Sequence, residues 1–430
     1  MNWKRVVVLF LFMCFGYGGS VHAAGFALYE WGARGTALGG TMMGRADDAS
    51  AVAYNPAGIT QLEGTRTKFG FSVVAPGGDI RTTDEAGNTE TTSIESNYWI
   101  PPHAFLTHQL TDQAWLGLGI YSRFGLGTEY PDDWPGRYNS YYNRVQSLSF
   151  NPNLALKLSD SWSMAFGVEV MWFDFKQEKA LDGDDSENPN INTNNDIDAE
   201  VHGDSFGFGA NVALHYKPND TWAVGLTYKS RVEHTVEGDA KFKRKSGVVY
   251  DQTWFNNTSA EGDITLPDSF GLGVMYRPKD KLTLEANAIY TLWSTYDELK
   301  IEYSDDLTPG NPGGPTEKSV SDKEWRDVWR FQFGAEYDLT EFIDLRLGYV
   351  FDQIPDRDKY ADYMTPTNDR HIITSGIGFS WDQASLDLSY SYLWFANRSI
   401  DERLEDDGVL DSRFKNGHTH IGSMSFSYKF

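Results

Sequence analysis

The C-terminal segment constrains the fold of this chain most. Every second residue from Met424 to Phe430 is apolar or aromatic, and the positions between them carry Ser or Lys. A strand with one apolar and one polar face is typical of a barrel wall that contacts lipid outside and a wetter lumen inside. A strand of a soluble β-sandwich is the alternative, and the rest of the chain has to decide between the two.

The first residues predict export. Two basic residues precede an apolar run at 6–15, and the residues up to Ala23 suit a signal peptidase, so we expect a signal peptide at residues 1–23. The run is too short to span a bilayer as a helix, and no later stretch offers about twenty consecutive apolar residues. The single cysteine, Cys14, lies in this segment, so we expect no disulfide or thiol chemistry in the mature chain.

Turn signals and alternation predict a transmembrane β-barrel. Short turn signals lie at residues 111–114, 159–161, 218–221, 278–281, 338–341 and 382–384, each flanked by aromatic residues or Leu. Between the turns apolar residues alternate with small or polar ones. The ten steps from Trp162 to Trp172 would span about 25 Å in a tilted strand. We therefore predict an all-β fold, an antiparallel barrel of about fourteen strands over residues 66–430 with both ends in the periplasm.

Composition narrows the function. A net charge of −24 argues against nucleic acid as a partner, because phosphates require a basic surface. Most acidic residues fall in the long connections, as expected for a solvated extracellular surface. Asp182, Asp184, Asp185 and Glu187 lack the Gly turn of a calcium loop, and His418 and His420 lack a third ligand. We predict neither a metal nor another cofactor.

Residues 24–65 do not follow the strand pattern. They are rich in small residues, including Gly32, Gly35, Gly39, Gly40 and Gly44. No Lys-Ser or Lys-Thr follows these glycines, which excludes a phosphate loop. The lumen of a barrel of this size is wide enough to need filling. We therefore predict that residues 24–65 form an N-terminal hatch that plugs the barrel.

Three motifs stand out in this segment: Ala24, Gly25 and Phe26 at the expected mature start, Ala46-Asp47-Asp48-Ala49, and Asn55, Pro56 and Ala57 followed by Ile59-Thr60. These motifs resemble the hatch of the FadL family of outer-membrane transporters for long-chain fatty acids and other hydrophobic compounds. Further matches lie in the barrel, at Gly125-Leu126, Thr128-Glu129, Leu266-Pro267, Trp293, Tyr296 and Glu298-Leu299. The resemblance extends over the whole mature chain.

The resemblance implies passive uptake across the outer membrane of a Gram-negative bacterium. A hydrophobic ligand would be captured among the extracellular loops, bind in the lumen, and leave sideways into outer-membrane lipid after a shift of the hatch. The C-terminal strand resembles those recognised by the barrel-assembly machinery. A general diffusion porin and an outer-membrane lipid hydrolase are the alternatives. No Ser-His pair with an orienting partner can be assembled, so we predict no catalytic residue and no enzyme.

Inward-facing apolar residues favour a hydrophobic ligand over hydrated solutes. The candidate lumenal ligand residues are Trp115, Tyr121, Met171, Phe173 and Ile289, with Arg330 and Arg346 as partners for a carboxylate. Packing on the hatch and pairing with inward acids such as Glu169, Glu285 and Glu336 are the alternatives for these two groups. The carboxylate-binding residues of the family cannot be matched position by position, which leaves fatty acid and uncharged hydrocarbon both open.

Two further sites are expected on the loops and in the wall. Trp254 and Phe255 are candidates for an extracellular capture site, with internal packing of the loop as the alternative. Pro152 cannot donate a ladder hydrogen bond, and Gly117 and Gly119 of the neighbouring strand leave space beside it. We expect a lateral opening there, with a β-bulge as the alternative.

Overall fold

The computed structural model describes residues 25–181, 196–244, 254–309, 314–401, 403–404 and 407–430. The predicted signal peptide, Ala24 and the acidic residues at 182–187 lie outside these ranges. In the part that is described, no helix is long and apolar enough to cross a membrane.

The described residues form one sheet of twenty-one strands. In chain order these are β1 (Thr65–Thr83), β2 (Thr89–Ser93), β3 (Pro102–Thr111), β4 (Ala114–Tyr121), β5 (Gly125–Glu129), β6 (Tyr142–Lys157), β7 (Trp162–Leu181), β8 (Ile197–Tyr216), β9 (Trp222–Lys229), β10 (Val232–Arg244), β11 (Thr258–Leu266), β12 (Ser269–Lys279), β13 (Leu282–Thr291), β14 (Glu298–Tyr303), β15 (Lys318–Asp322), β16 (Val328–Asp338), β17 (Ile343–Asp352), β18 (Arg370–Ser380), β19 (Ala384–Phe395), β20 (Arg398–Ile400) and β21 (Asp411–Lys429).

The sheet closes into an antiparallel barrel of 14 wall strands, because β21 pairs with β1 along nearly its whole length. Some wall strands consist of two consecutive segments: the third is β4 and β5, the seventh β9 and β10, the eighth β11 and β12, the ninth β13 and β14, the tenth β15 and β16, and the thirteenth β19 and β20. β2 is an additional hairpin partner of β1. Every predicted tight turn joins two neighbouring wall strands, which confirms the predicted barrel.

Side chains alternate between an apolar outer face and the lumen. In β8, Phe206 is 65% exposed and Phe208 74%, so Gly207 and Gly209 between and beyond them face inward. In β21, Met424 is exposed and Ser425 is fully buried. The period of two in the sequence therefore corresponds to a lipid-facing surface and a lumenal surface.

The N-terminal segment, residues 25–64, contains helix α1 (Ala33–Ala37), helix α2 (Ala51–Tyr54) and a 3-10 turn (Pro56–Gln61). Helix α1 contacts β1, β17, β18, β19 and β21, whereas the 3-10 turn contacts β4, β6, β7 and β8. The segment therefore contacts wall strands from both halves of the chain. Most of its side chains are buried.

The Asn55-Pro56-Ala57 motif shapes the 3-10 turn. The side-chain oxygen of Asn55 accepts a hydrogen bond from Ala57 N at 3.1 Å, and Pro56 occupies the first position, where a missing N–H is tolerated. The Asn55 amide also donates to Met43 O at 2.9 Å and to Leu214 O of β8 at 3.1 Å. The motif thus caps the turn and joins it to the wall.

A buried network of ion pairs joins the segment to the barrel. Glu336 of β16 accepts from Arg34 at 2.7 Å and Arg45 at 2.9 Å, both in the N-terminal segment, and from Arg346 of β17 at 2.7 Å. Further pairs in this network are Arg45 with Glu285, Lys68 with Asp48 and Asp387, and Arg346 with Asp387. Removing one partner from such a pair leaves an uncompensated buried charge, so the network fixes the segment in place.

Candidate ligand cavity and wall opening

The third wall strand leaves the wall between β4 and β5. β4 pairs in register with both β3 and β6 as far as Tyr121, whereas β5 pairs with β6 alone. The backbone groups at the bend find partners outside the ladder: Ser122 O accepts from Trp31 Nε1 (2.7 Å), Arg123 O from Leu28 N (2.8 Å) and Phe26 O from Gly125 N (2.9 Å), while Phe124 N donates to Ser147 Oγ (2.9 Å). The N-terminal segment thus replaces the neighbouring wall strand, which satisfies groups that would be costly to bury unpaired.

A cavity of about 340 Å³ lies at this bend. One side is lumenal and includes Ile372, Leu393 and Ile421. The other side includes Leu148 and Trp172, which are directly paired across β6 and β7. Their chain neighbours Ser149 and Met171 are fully buried on the lumenal face, so Leu148 and Trp172 belong to the outer face. The cavity therefore connects the lumen with the lipid-facing surface.

The lumenal end of the cavity carries two guanidinium groups. Arg330 Nη1 and Arg370 Nη2 both pair with the same carboxylate oxygen of Asp352, at 2.7 and 3.0 Å. The Arg330 guanidinium also lies 4.4 Å from the ring centre of Tyr29. The Nε atoms of both arginines are buried without a hydrogen-bond partner. Two guanidinium groups thus face Asp352 at this end, Glu30 adds a second carboxylate, and much of the remaining lining is apolar.

Phe26 sits in an aromatic cage next to the bend. Its ring centre lies 4.7 Å from that of Trp293, 5.7 Å from that of Trp325 and 6.1 Å from those of Phe124 and Tyr296. The neighbouring Gly25 has a positive φ of 50°, and a Cβ there would lie 2.7 Å from the ring of Trp325. Gly25 therefore lets the chain enter the cage.

The extracellular connection at residues 353–369 covers this region. Met364 packs in the same cluster as Phe26, and its carbonyl oxygen accepts from Thr128 Oγ1 at 3.2 Å. Within the connection, Asp356 pairs with Arg398 at 2.8 Å. Burial raises the pKa of Asp369 to about 7 and also raises the pKa of Asp356, although nearby arginines oppose both shifts.

Most of the predicted lumenal ligand residues contact other parts of the protein. Trp115, Tyr121 and Ile289 pack in one cluster with the N-terminal segment, and Trp115 Nε1 donates to Leu62 O at 2.9 Å. Met171 and Phe173 are fully buried in the cluster around Phe26. These positions match the packing alternative that the sequence left open.

The two predicted carboxylate partners differ in their surroundings. Arg346 is enclosed by Glu336, Asp387 and Asp344 and does not line the cavity. Arg330 lines the cavity. Its cavity neighbour Arg370 was not predicted, because its position at the start of β18 is set by a connection without a periodic pattern.

The wall near Pro152 keeps its register on both sides, which does not support the expected opening there. Pro152 stays opposite Leu118 of β4, and the register between β6 and β7 is the same below and above it. Asn151 Nδ2 donates to Val168 O at 2.7 Å and replaces the donor that Pro152 lacks. The ladder with β7 therefore skips Asn151 and Pro152 but resumes in the same register.

Gly117 and Gly119 accommodate the N-terminal segment. A Cβ on Gly117 would lie 2.8 Å from Val52 and 3.0 Å from Ile59, and one on Gly119 would lie 3.1 Å from Val52. Their missing side chains therefore make room for residues of the lumen, not for an opening. The interruption of the wall lies further along the third wall strand, at residues 122–124. The Gly125-Leu126 motif directly follows it and was the sequence feature that could have indicated it.

The loop aromatics pack with neighbouring loops. Trp254 Nε1 donates to Pro309 O at 3.2 Å, and the rings of Phe255 and Phe242 lie 5.7 Å apart. Both Trp254 and Phe255 remain partly accessible. His418 and His420 lie on β21, where His420 Nδ1 bonds Tyr390 Oη at 2.7 Å. Within the described ranges, no cluster of three or more His, Cys, Asp or Glu side chains could hold a metal ion.

Comparison with known proteins agrees with this architecture. Residues 17–430 match the family described as outer membrane protein transport protein (OMPP1/FadL/TodX). The chain is 26% identical to the long-chain fatty acid transport protein of Escherichia coli O6:H1, with 95% of each chain covered. It is also 26% identical to an outer-membrane protein of Neisseria meningitidis serogroup B, with 96% of each covered.

Two solved structures share the fold. A FadL homologue of Pseudomonas aeruginosa superposes with a TM-score of 0.80 at 19% identity, covering 95% of this chain and 100% of the other. The toluene transporter TodX of Pseudomonas putida gives a TM-score of 0.69 at 19% identity, covering 94% and 99%.

A closed antiparallel barrel with an apolar outer face defines the protein as an outer-membrane β-barrel. The chain belongs to the OMPP1/FadL/TodX family of outer-membrane transport proteins. Its members are transporters or channels for hydrophobic compounds and not enzymes, so the protein is a FadL/TodX-type transporter of the outer membrane.

Proposed function

We propose that the protein takes up long-chain fatty acids, or closely similar hydrophobic carboxylates, and releases them sideways into the outer membrane. The observation that carries the proposal is the cavity at the bend of the third wall strand. It offers guanidinium groups at its lumenal end and an apolar lining that reaches the lipid-facing residues Leu148 and Trp172. A fatty acid has the same polarity, with a charged head and an apolar tail.

The charge at Arg330 and Arg370 favours a carboxylate over a neutral hydrocarbon. Charge-assisted hydrogen bonds are stronger than neutral ones, and Arg presents several donors in a planar fork. The relative from Escherichia coli is named a long-chain fatty acid transport protein, whereas the structural relative from Pseudomonas putida is named a toluene transporter. An aromatic hydrocarbon is therefore the second candidate, supported by the apolar part of the same cavity.

Passage along this route requires no chemical energy source. An apolar tail gains free energy by leaving water for the cavity and again by entering the bilayer. We further propose that residues 24–65 act as the hatch and that the partly accessible Trp254 and Phe255 contribute to capture at the surface. We also propose that the barrel-assembly machinery recognises the C-terminal strand.

Binding measurements on the purified protein in detergent test the ligand class. We expect palmitate to bind more tightly than hexadecanol or toluene, and Arg330→Met to weaken palmitate binding by about tenfold to hundredfold, the value of a charge-assisted hydrogen bond. The variant keeps the Arg370–Asp352 pair. Binding of toluene should change little.

Arg144→Met is the matched control, since Arg144 pairs with Asp174 between neighbouring wall strands and does not line the cavity. Equal affinities for palmitate and hexadecanol, together with no effect of Arg330→Met, would contradict the carboxylate proposal and favour the hydrocarbon.

A further inference from the structure

Arg123 lies at the bend of the third wall strand, and its side chain is buried inside the barrel. It is 4% exposed, and its guanidinium forms an ion pair with Glu169 of β7, which is 2% exposed. The same guanidinium lies 3.5 Å from the carbonyl oxygen of Ser230 through both Nη atoms. Arg123 therefore connects the bend to the fifth and seventh wall strands.

Ser230 marks a second interruption of the wall. The ladder between β8 and the seventh wall strand runs up to Asn211 opposite Lys229 and resumes at Asp204 opposite Glu237. The residues between these pairs differ by one in number, so the register is offset. The seventh strand thus breaks between β9 and β10 and pairs again one residue out of step.

At this break the seventh strand lies on the lumenal side of β8. A Cβ on the inward-facing Gly207 would lie 2.7 Å from the carbonyl oxygen of Glu233, and one on Gly209 would lie 3.0 Å from Val232. Only glycine allows the two backbones to approach this closely. The third and the seventh wall strands are therefore both displaced inward. Arg123 belongs to the third strand and contacts the seventh at Ser230.

We propose that Arg123 is the positioning residue of the wall opening, holding the bend of the third wall strand inside the lumen through Glu169 and the Ser230 carbonyl. Without it, residues 122–124 lose their link to β7 and the seventh strand. The bonds to the N-terminal segment and to Ser147 are then left to oppose their return toward β3, so a larger share of the molecules completes the ladder. Only the functional consequence, a change in lateral release, rests on the proposed function.

A disulfide reports the position of the bend directly. If the register of β3 and β4 continued past His103 and Tyr121, Ile100 would come opposite Phe124. In the structure Phe124 is 3% exposed in the cage around Phe26, whereas Ile100 is 61% exposed. Phe124 lies opposite Ala27 on one side and is bonded to Ser147 on the other, so Ile100 is not its neighbour in the sheet. A disulfide needs Cα atoms within about 7 Å and is therefore favoured when the strand straightens. Cys14, in the predicted signal peptide, is the only native cysteine.

The experiment compares disulfide formation of Ile100→Cys/Phe124→Cys in outer membranes, with and without Arg123→Met. We expect the additional Arg123→Met change to increase the cross-linked fraction several-fold, Arg123→Lys to give less, and the control Arg144→Met to give none. In the protein without the two introduced cysteines, Arg123→Met should reduce palmitate uptake by on the order of tenfold, while palmitate binding persists. Glu169→Gln keeps the arginine but weakens the ion pair, and it should also increase the cross-linked fraction. This variant provides the test if Arg123→Met does not assemble.

Cross-linking that stays at the parent level in both Arg123→Met and Glu169→Gln would overturn the proposal, whatever happens to uptake. Increased cross-linking with normal uptake would support the positioning role of Arg123 and contradict lateral release at this bend. The two proposals therefore fail in different measurements.

Discussion

At the scale of the residue, Pro152 shows how a side chain can restore a wall that its own backbone cannot complete. Asn151 supplies the missing donor, and its amide belongs to a closed group with Asn153 and Asn211. The group occupies the space over Gly167, where a Cβ would lie 2.2 Å from the side-chain oxygen of Asn153. Hydrogen bonds within the lumen thus support the ladder at Pro152.

This arrangement predicts opposite results for two neighbouring residues. Asn151→Ala should lower the stability of the barrel by about 1–3 kcal/mol, because it leaves the Val168 carbonyl and two amide partners unsatisfied. Pro152→Val restores a backbone donor and should leave palmitate uptake unchanged. The temperature at which the barrel loses its folded mobility on gels measures the first effect. Reduced uptake by a fully folded Pro152→Val protein would indicate that the lateral opening lies at Pro152.

At the scale of the element, sequence pattern predicts the regular strands and misses their interruptions. Alternation from Trp162 to Trp172 is a local property, and so are the turns after β6 and β8. The bend at residues 122–124 depends on partners far away in sequence, namely Leu28, Trp31 and Ser147. Such partners leave no periodic signal in the sequence. The opening was therefore expected at Pro152, because a proline within a strand is a signal that can be read locally.

The extracellular connection at residues 353–369 should respond to pH. Burial raises the pKa of Asp369 to about 7. Between the unfolded pKa of about 3.9 and this value, the folded connection therefore keeps a proton on Asp369 that the unfolded chain has released. Its stability is then highest at pH values near and below the unfolded pKa of about 3.9 and falls as the pH rises through about 7. The charged groups that influence Asp369 are Arg326 and Arg398, which oppose the shift, and Asp352 and Asp356, which add to it.

Hydrogen exchange over residues 353–369, corrected for the intrinsic rate, measures this effect. We expect faster exchange at about pH 8 than at about pH 5.5. Asp369→Asn keeps a neutral side chain of the same shape and should remove the difference. A pH dependence that persists unchanged in Asp369→Asn would assign the effect to another group, with Asp356 as the nearest candidate.

At the scale of the whole molecule, the N-terminal segment and the barrel depend on each other. The segment pairs Arg34 and Arg45 with wall carboxylates, and its backbone replaces the ladder at the bend. Sequence analysis predicted a plug from lost alternation and glycine content. It could not predict which inward residues would contact this segment, because that depends on how a non-periodic segment folds against the wall. Trp115 and Ile289 therefore appeared as ligand residues although they pack against the segment.

Removal of the N-terminal segment tests its role as a hatch. A protein that retains the signal peptide but lacks residues 25–64 should still assemble, since the wall strands pair with one another outside the bend of the third wall strand and the closing pair of β1 and β21 begins at Arg66. The buried wall charges, including Glu336 and Glu285, would then face water, which solvates them at little cost. We expect steady ion conductance in planar bilayers that the intact protein lacks, since the lumen of so wide a barrel is open unless something fills it. An assembled deletion protein that conducts no better than the intact one would show that the lumen is closed by the wall residues themselves, and the hatch proposal would then be wrong.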